Sequence, residues 1–175
     1  MSIYAFEGKR PAIDPTAYLH ESAQVIGDVI IGEKCYIGPG AIIRGDYGSI
    51  NIGARTAVEE GCIVHVAPGE TCDIGSDIIL GHGAIIHCSQ IQPHVRIGIG
   101  AIVSIRSVVE EWAVIGDGAV VPPKQTLALG RVFVGNPARD VRGVSDEEKE
   151  FSMRAVVAYA DLCARCSAGL QKLSL

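Results

Sequence analysis

Aliphatic residues recur every six positions from about residue 26 to about residue 126. Ile31-Gly32, Ile37-Gly38, Ile52-Gly53, Ile74-Gly75, Leu80-Gly81, Ile97-Gly98 and Ile115-Gly116 pair the aliphatic with a glycine. Ile43, Val58, Val64, Ile86, Val103, Val109 and Val121 hold the same position alone. A small residue falls two places earlier, as at Ala41, Thr56, Cys62, Ala84, Ala101, Ser107, Ala113 and Ala119. An amphipathic helix would repeat near 3.6 residues and a half-buried strand at about 2. Six with frequent glycine is the spacing of a short strand plus a tight turn, where glycine is expected to supply positive φ. Three such units close a triangular coil of about 18 residues, and stacked coils pair as parallel strands roughly 4.8 Å apart. Composition agrees: 48% of residues are apolar, only 5% are aromatic and 21 are glycine, which suits many thin, similar layers.

This pattern resembles the hexapeptide-repeat proteins, and the resemblance implies a left-handed coil, although ordinary parallel crossovers are right-handed. The expected fold is all-β: a left-handed parallel β-helix over 1–143, then a C-terminal α-helix within 144–175. Ser145-Asp146-Glu147-Glu148 forms a capping box that opens this helix over about 145–170. Phe151, Ala155, Val156, Tyr159, Leu162 and Cys163 give it an apolar stripe to lay on the prism or across a trimer seam.

Two slips interrupt the period. Ile43 to Ile52 spans nine residues and Val64 to Ile74 spans ten, so about three and four residues are extra, at Asp46-Tyr47-Gly48 and within Val66 to Thr71. These are expected to emerge as corner loops, which often carry function. Counting through them puts Ile43, Val64, Ile86 and Val103 on one face, and Ile37, Val58, Leu80 and Ile97 on another. His65 and His87 each follow an inward aliphatic by one position, one coil apart on the same face, so their rings should project outward side by side. Two stacked imidazoles can share one divalent ion, and imidazole suits zinc, iron or cobalt. His82 lies two positions after Leu80 on the neighbouring face. A three-fold trimer would bring it to the other two from an adjacent chain. His20 and His94 read as ordinary surface residues and Trp112 as packing.

Arg44-Gly45-Asp46, His65 and the run Gly81-His82-Gly83-Ala84-Ile85-Ile86-His87 together resemble the γ-class carbonic anhydrase family. The likeness is sharpest to its bacterial subgroup of carnitine-operon and phenylacetate-operon hexapeptide proteins. It covers nearly the whole chain, from Ile3-Tyr4 through Gly135-Asn136-Pro137-Ala138 to the terminal helix. It implies a homotrimer with Zn2+, or Fe2+ or Co2+, held by His65 and His87 of one subunit and His82 of the next. It also implies an intersubunit ion pair between Arg44 and Glu60, an ordering role for Asp46, and Tyr159 leaning toward the metal. Two departures stand out. The family usually carries Gln-Asp where this chain has Glu59-Glu60, and the loop after Asp46 is too short to hold the acidic proton-shuttling loop of active members. Glu59 is a candidate to stand in as the shuttle.

The implied activity is hydration of carbon dioxide to bicarbonate, with a small-molecule substrate. Two other classes stay open: coenzyme A-linked acyl transfer or thioester hydrolysis, and a non-catalytic metal-binding trimer. A net charge of −5 with mixed signs and no basic stripe argues against nucleic acid. No run approaches the roughly 18 apolar residues of a membrane span. The first ten residues show no signal peptide. The six cysteines, including the Cys163-x-x-Cys166 spacing, read as reduced thiols of a cytoplasmic protein.

Overall fold

The computed structural model describes residues 2–173; Met1, Ser174 and Leu175, the outermost residues of the two expected segments, lie outside the described residues. The chain folds as a left-handed parallel β-helix followed by one α-helix, α1 (Asp146–Gly169). One face stacks eight strands. Seven are parallel, and the last, Arg139–Gly143, turns back antiparallel on Arg131–Val134. That exposed final strand closes the prism's end, where an open parallel edge would invite another chain. The other two faces form one hydrogen-bonded sheet of twelve strands, because the long strands Gln24–Ile31 and Ile42–Ile52 run around a corner.

Register confirms the phase read from the sequence. Ile43, Val64, Ile86 and Val103 pair in successive coils, as do Ile37, Val58, Leu80 and Ile97. All eight are buried and point inward. Ala41, Cys62, Ala84, Ala101 and Ala119 line one inner corner with no exposed surface, because the chain turns there and leaves no room for a longer side chain. The coil starts earlier than residue 26. Leu19, Ala23 and Val25 belong to the core, and Ser2–Tyr4 pairs with Gln24–Ile26. Ala17-x-Leu19 and Ala23-x-Val25 carry the small-then-aliphatic signal, and only the following glycine is missing. At the far end Phe133 extends the same core.

The glycines after the aliphatics do not supply positive φ. That conformation falls at the corners, on Gly40, Gly61, Gly83, Gly100 and Gly118, and equally on Lys34, Arg55, Asp77, His94 and Trp112. The glycine of each pair instead admits the next coil's backbone. A Cβ on Gly98 would lie 2.5 Å from the Asp117 nitrogen and 2.6 Å from the Gly116 carbonyl carbon.

The slips also differ from simple loops. Asp46-Tyr47-Gly48 stays within the strand Ile42–Ile52, where Gly27 pairs with Gly45 but Val29 pairs with Ile50. Two steps in one coil thus match five in the next, and the three extra residues bulge outward with Tyr47 exposed. The second slip turns at Pro68-Gly69 and stacks on the first: the Gly69 N–H donates to the Tyr47 carbonyl at 3.0 Å, and the Ser49 N–H to the Glu70 carbonyl at 3.1 Å.

α1 begins at a complete capping box, with the Ser145 hydroxyl accepting from the Glu148 N–H and the Glu148 carboxylate from the Ser145 N–H. It lies back along the eight-stranded face over the strands Tyr18–Leu19, Tyr36–Ile37, Ala57–Val58 and Ile79–Leu80. Val156 and Cys163 are buried against Tyr36, Ala57 and Ile79, and Tyr159 packs on the Tyr36 ring at 5.2 Å. Phe151 departs from the expected stripe: it is half exposed, with the Arg96 guanidinium over its ring, and Ser152 is buried instead. Cys163 donates to the Cys35 carbonyl at 3.3 Å, so this thiol belongs to the packing of α1. All six cysteines are unpaired, and burial pushes the thiol of Cys62 up to about 12. His94 is less of a surface residue than expected, since it stacks on Trp112 at 4.4 Å.

Gly98→Ala is expected to destabilise the protein by about 2 kcal/mol or more, since the added carbon overpacks against backbone, while Gly169→Ala, which meets nothing within 4 Å, should cost nothing; urea midpoints compare the two. The Arg142 guanidinium and the Ser145 N–H hold the Glu148 carboxyl down at about 2. A carboxyl depressed by folding contributes stability above its ordinary value of 4.5, and the contribution is lost as pH falls from there toward 2. Helical ellipticity should therefore drop across that window in the wild type, and Glu148→Gln should be less stable at neutral pH and flatter below it.

Candidate metal site

Arg44, His65 and His87 occupy one register position in three successive coils, each just after an inward aliphatic. Parallel pairing therefore stacks their side chains outward in a column. The His65 and His87 rings are 5.4 Å apart and nearly parallel, with 7° between their planes. Asp46, carried by the first bulge, turns back onto this column. Its Oδ2 accepts from Arg44 Nη1 at 2.7 Å, its Oδ1 accepts from the Tyr47 N–H at 3.0 Å, and Oδ1 lies 3.3 Å from His65 Nε2. That last contact is not aligned as a hydrogen bond, so His65 Nε2 is shut away from solvent with no partner. Burial, then the Arg44 charge, hold the His65 imidazole below its ordinary value, which favours its neutral form. Burial pushes the Asp46 carboxyl up, but the Arg44 charge and the local hydrogen bonds outweigh it and leave it lowered.

His82 stands at the corner after Leu80, half exposed, in a second cluster. Its Nδ1 meets Glu60 Oε2 at 2.5 Å and its Nε2 lies 3.2 Å from Glu59 Oε2. The His82 backbone N–H also donates to Glu59 Oε2, at 2.9 Å. Tyr36 donates its hydroxyl to Glu60 Oε1 at 3.0 Å. Tyr159 reaches this cluster from α1; burial, and then its hydrogen bond with Glu59, push its hydroxyl above the ordinary range.

The expected site residues thus divide into two groups within one chain: Arg44, Asp46, His65 and His87 in one, Glu59, Glu60, His82 and Tyr159 in the other. Among the described residues, the only group of three or more donors close enough to share an ion is Glu59, Glu60 and His82. Arg44 pairs with Asp46 inside the chain, whereas the pairing with Glu60 that the resemblance implies would run between subunits. Tyr36 escaped the sequence reading. Its only signal was an aromatic ring at an outward position one before the inward Ile37.

The three faces are finished differently. α1 covers the outward residues Tyr36, Ala57 and Ile79 of one face. A second is mixed outside, with Asn51, Asp73, Gln90 and Thr126 sharing its outward column with Ile30 and Val108. The face carrying His65 and His87 presents Ile42, Ile63, Ile85, Ile102 and Val120 outward in register, and no described element covers them. An uncovered apolar ladder of this kind marks an interaction surface.

No protein-family model matches the chain. The carnitine operon protein CaiE of Escherichia coli K12 is 39% identical over 178 residues, an alignment covering 98% of this chain and 88% of CaiE. Among solved structures, a hexapeptide transferase family protein from Anaplasma phagocytophilum superposes with a TM-score of 0.90 at 28% identity, over 94% of this chain and 97% of that one. A Bacillus cereus protein provisionally named an acetyltransferase gives 0.94 at 28% identity, over 95% and 97%. With the hexapeptide coil and 39% identity over nearly the whole chain in agreement, the chain belongs to the hexapeptide-repeat family of the carnitine operon protein CaiE, which fits its resemblance to the γ-class carbonic anhydrases.

Proposed function

We propose that this protein is a homotrimer that holds one divalent ion at each subunit boundary and hydrates carbon dioxide to bicarbonate there. His65 and His87 of one copy and His82 of the next would hold the ion. One observation carries the reading: two parallel imidazoles, one with a buried and unpartnered Nε2, stand on an apolar face that no described element covers. Three imidazoles suit zinc, with iron or cobalt as alternatives. An ion so held lowers the pKa of a water toward about 7, which is the chemistry that hydration requires. The protein's own groups prepare the donors. Burial and Arg44 favour the neutral form of the His65 ring, the form that can donate to an ion. Asp46 fixes Arg44, Glu60 takes the Nδ1 side of His82, and Tyr36 steadies Glu60.

The uncovered ladder of Ile63, Ile85 and Ile102 supports the trimer, since it needs a partner surface and lies beside the donors the partner would complete. Six unpaired cysteines support placement in the cytoplasm. No described helix is long and apolar enough to cross a membrane.

The transferase names of the two solved structures favour a second reading, coenzyme A-linked acyl transfer with His82 and its carboxylates as the reacting base, while thioester hydrolysis would use the same metal-bound water as the first. A trimer whose ion is purely structural is the third. Metal content separates the second from the others, and kinetics separates the first from the third. Protein purified without oxygen should carry one ion per subunit, and stopped-flow hydration should fall to the buffer rate in His87→Ala. Stoichiometric metal without hydration would remove carbon dioxide as the substrate. A protein that takes up no ion under any reconstitution would leave acyl transfer standing.

A further inference from the structure

Glu59 is a carboxylate with 6% of its surface exposed, a burial that is costly for a charge without a partner. Among the described residues no lysine or arginine comes within 4.0 Å of it, and His82 is the one basic side chain at that distance. Its other fixed contacts are the His82 backbone N–H at 2.9 Å and the Tyr159 hydroxyl. Both hold the carboxylate in place, and neither supplies a full positive charge. The oxygen fixed by the His82 N–H is the same Oε2 that lies 3.2 Å from His82 Nε2. Two donors on a tetrahedral ion with bonds of about 2.0–2.1 Å are separated by about 3.3 Å. Oε2 and Nε2 therefore already stand at the bite of a single ion. Glu60 is placed otherwise: it sits on the Nδ1 side of the same ring, with its second oxygen occupied by Tyr36.

We propose that Glu59 is itself a ligand of the shared ion, joining His82 from the same subunit, so that the donor set is three imidazoles and one carboxylate. The assignment rests on the metal-bearing trimer inferred above. It gives the buried charge its missing counterion. A glutamine, with a neutral amide in the same place, would be a far weaker donor. The carboxylate would add to the three imidazoles and tighten binding of the ion, and a water would complete the set in a five-coordinate site, so the position that hydration requires is kept.

The test uses the full-length protein stripped of metal and titrated with Co2+, whose visible absorption reports the number and kind of donors. Glu59→Gln keeps the size and hydrogen-bonding shape of the side chain. It is expected to remain the same oligomer by light scattering, to bind Co2+ at least about tenfold more weakly, and to show a different visible spectrum. A spectrum identical to the wild type would overturn the assignment and leave Glu59 as a positioning residue, whatever happens to affinity. Should the variant fail to assemble, the infrared difference spectrum of wild-type protein carrying ¹³C-labelled glutamate, with and without Co2+, decides instead: a shifted glutamate carboxylate stretch supports ligation and an unshifted one excludes it. His87→Ala keeps this result distinct from the underlying reading. Unchanged Co2+ uptake in that variant would refute the shared site itself, and with it the role of Glu59.

Discussion

Backbone hydrogen bonds between successive coils govern everything else in this molecule. Each coil's N–H groups reach carbonyls one turn away, as when the Ile63 N–H donates to Ala84 and the Ile85 N–H to Ala101. Parallel pairing of this kind converts position in the repeat into position in space. A residue one place after the inward aliphatic appears in an outward column, whatever its chemistry. Arg44, His65 and His87 form such a column because the ladder puts them there, and the stacking of the two imidazoles follows from strand spacing. The site is thus a by-product of register, refined by Asp46 and the carboxylates beside His82.

Register survives only because the insertions agree with one another. The Asp46-Tyr47-Gly48 bulge adds three residues to one coil and the Val66–Thr71 segment adds four to the next, yet Ile50 still pairs with Cys72 and Ile52 with Ile74. Hydrogen bonds between the two outgrowths tie them together, and a Cβ on Gly48 would collide with the Glu70 carbonyl. The first bulge delivers Asp46 to His65, so one irregularity in the repeat adds a carboxylate to the column of Arg44, His65 and His87 that register alone builds.

Much of this was legible in the sequence because a strict period needs only counting. The faces, the inward ladders, the outward pairing of His65 with His87 and the separate placement of His82 all followed from phase. What phase could not give is contact between side chains on different elements. Tyr36 and Tyr159 meet around Glu59 and Glu60 only because α1 lies on the eight-stranded face, and no repeat encodes that docking. The glycines were misassigned for a related reason. Frequency after the aliphatic suggested a turn conformation, whereas the demand at Gly98 comes from the backbone of another coil. Leu19 and Val25 lie outside the span that the period suggested, although their units carry the same small-then-aliphatic signal and meet the core in the same way.

The coil is made of near neighbours in sequence, and α1 is the exception. Cys163 bonds to the carbonyls of Lys34 and Cys35, 129 and 128 residues earlier. Layers that touch only adjacent layers can zip up progressively as the chain emerges during synthesis, with little loop to close at each step. α1 cannot join until nearly all of the coil exists, and then it returns to cover the early strands. A nascent chain would therefore hold His65 and His87 in place well before Tyr159 arrives to enclose Glu59. The two halves of the site would then mature at different times, the carboxylate half only once α1 has been made.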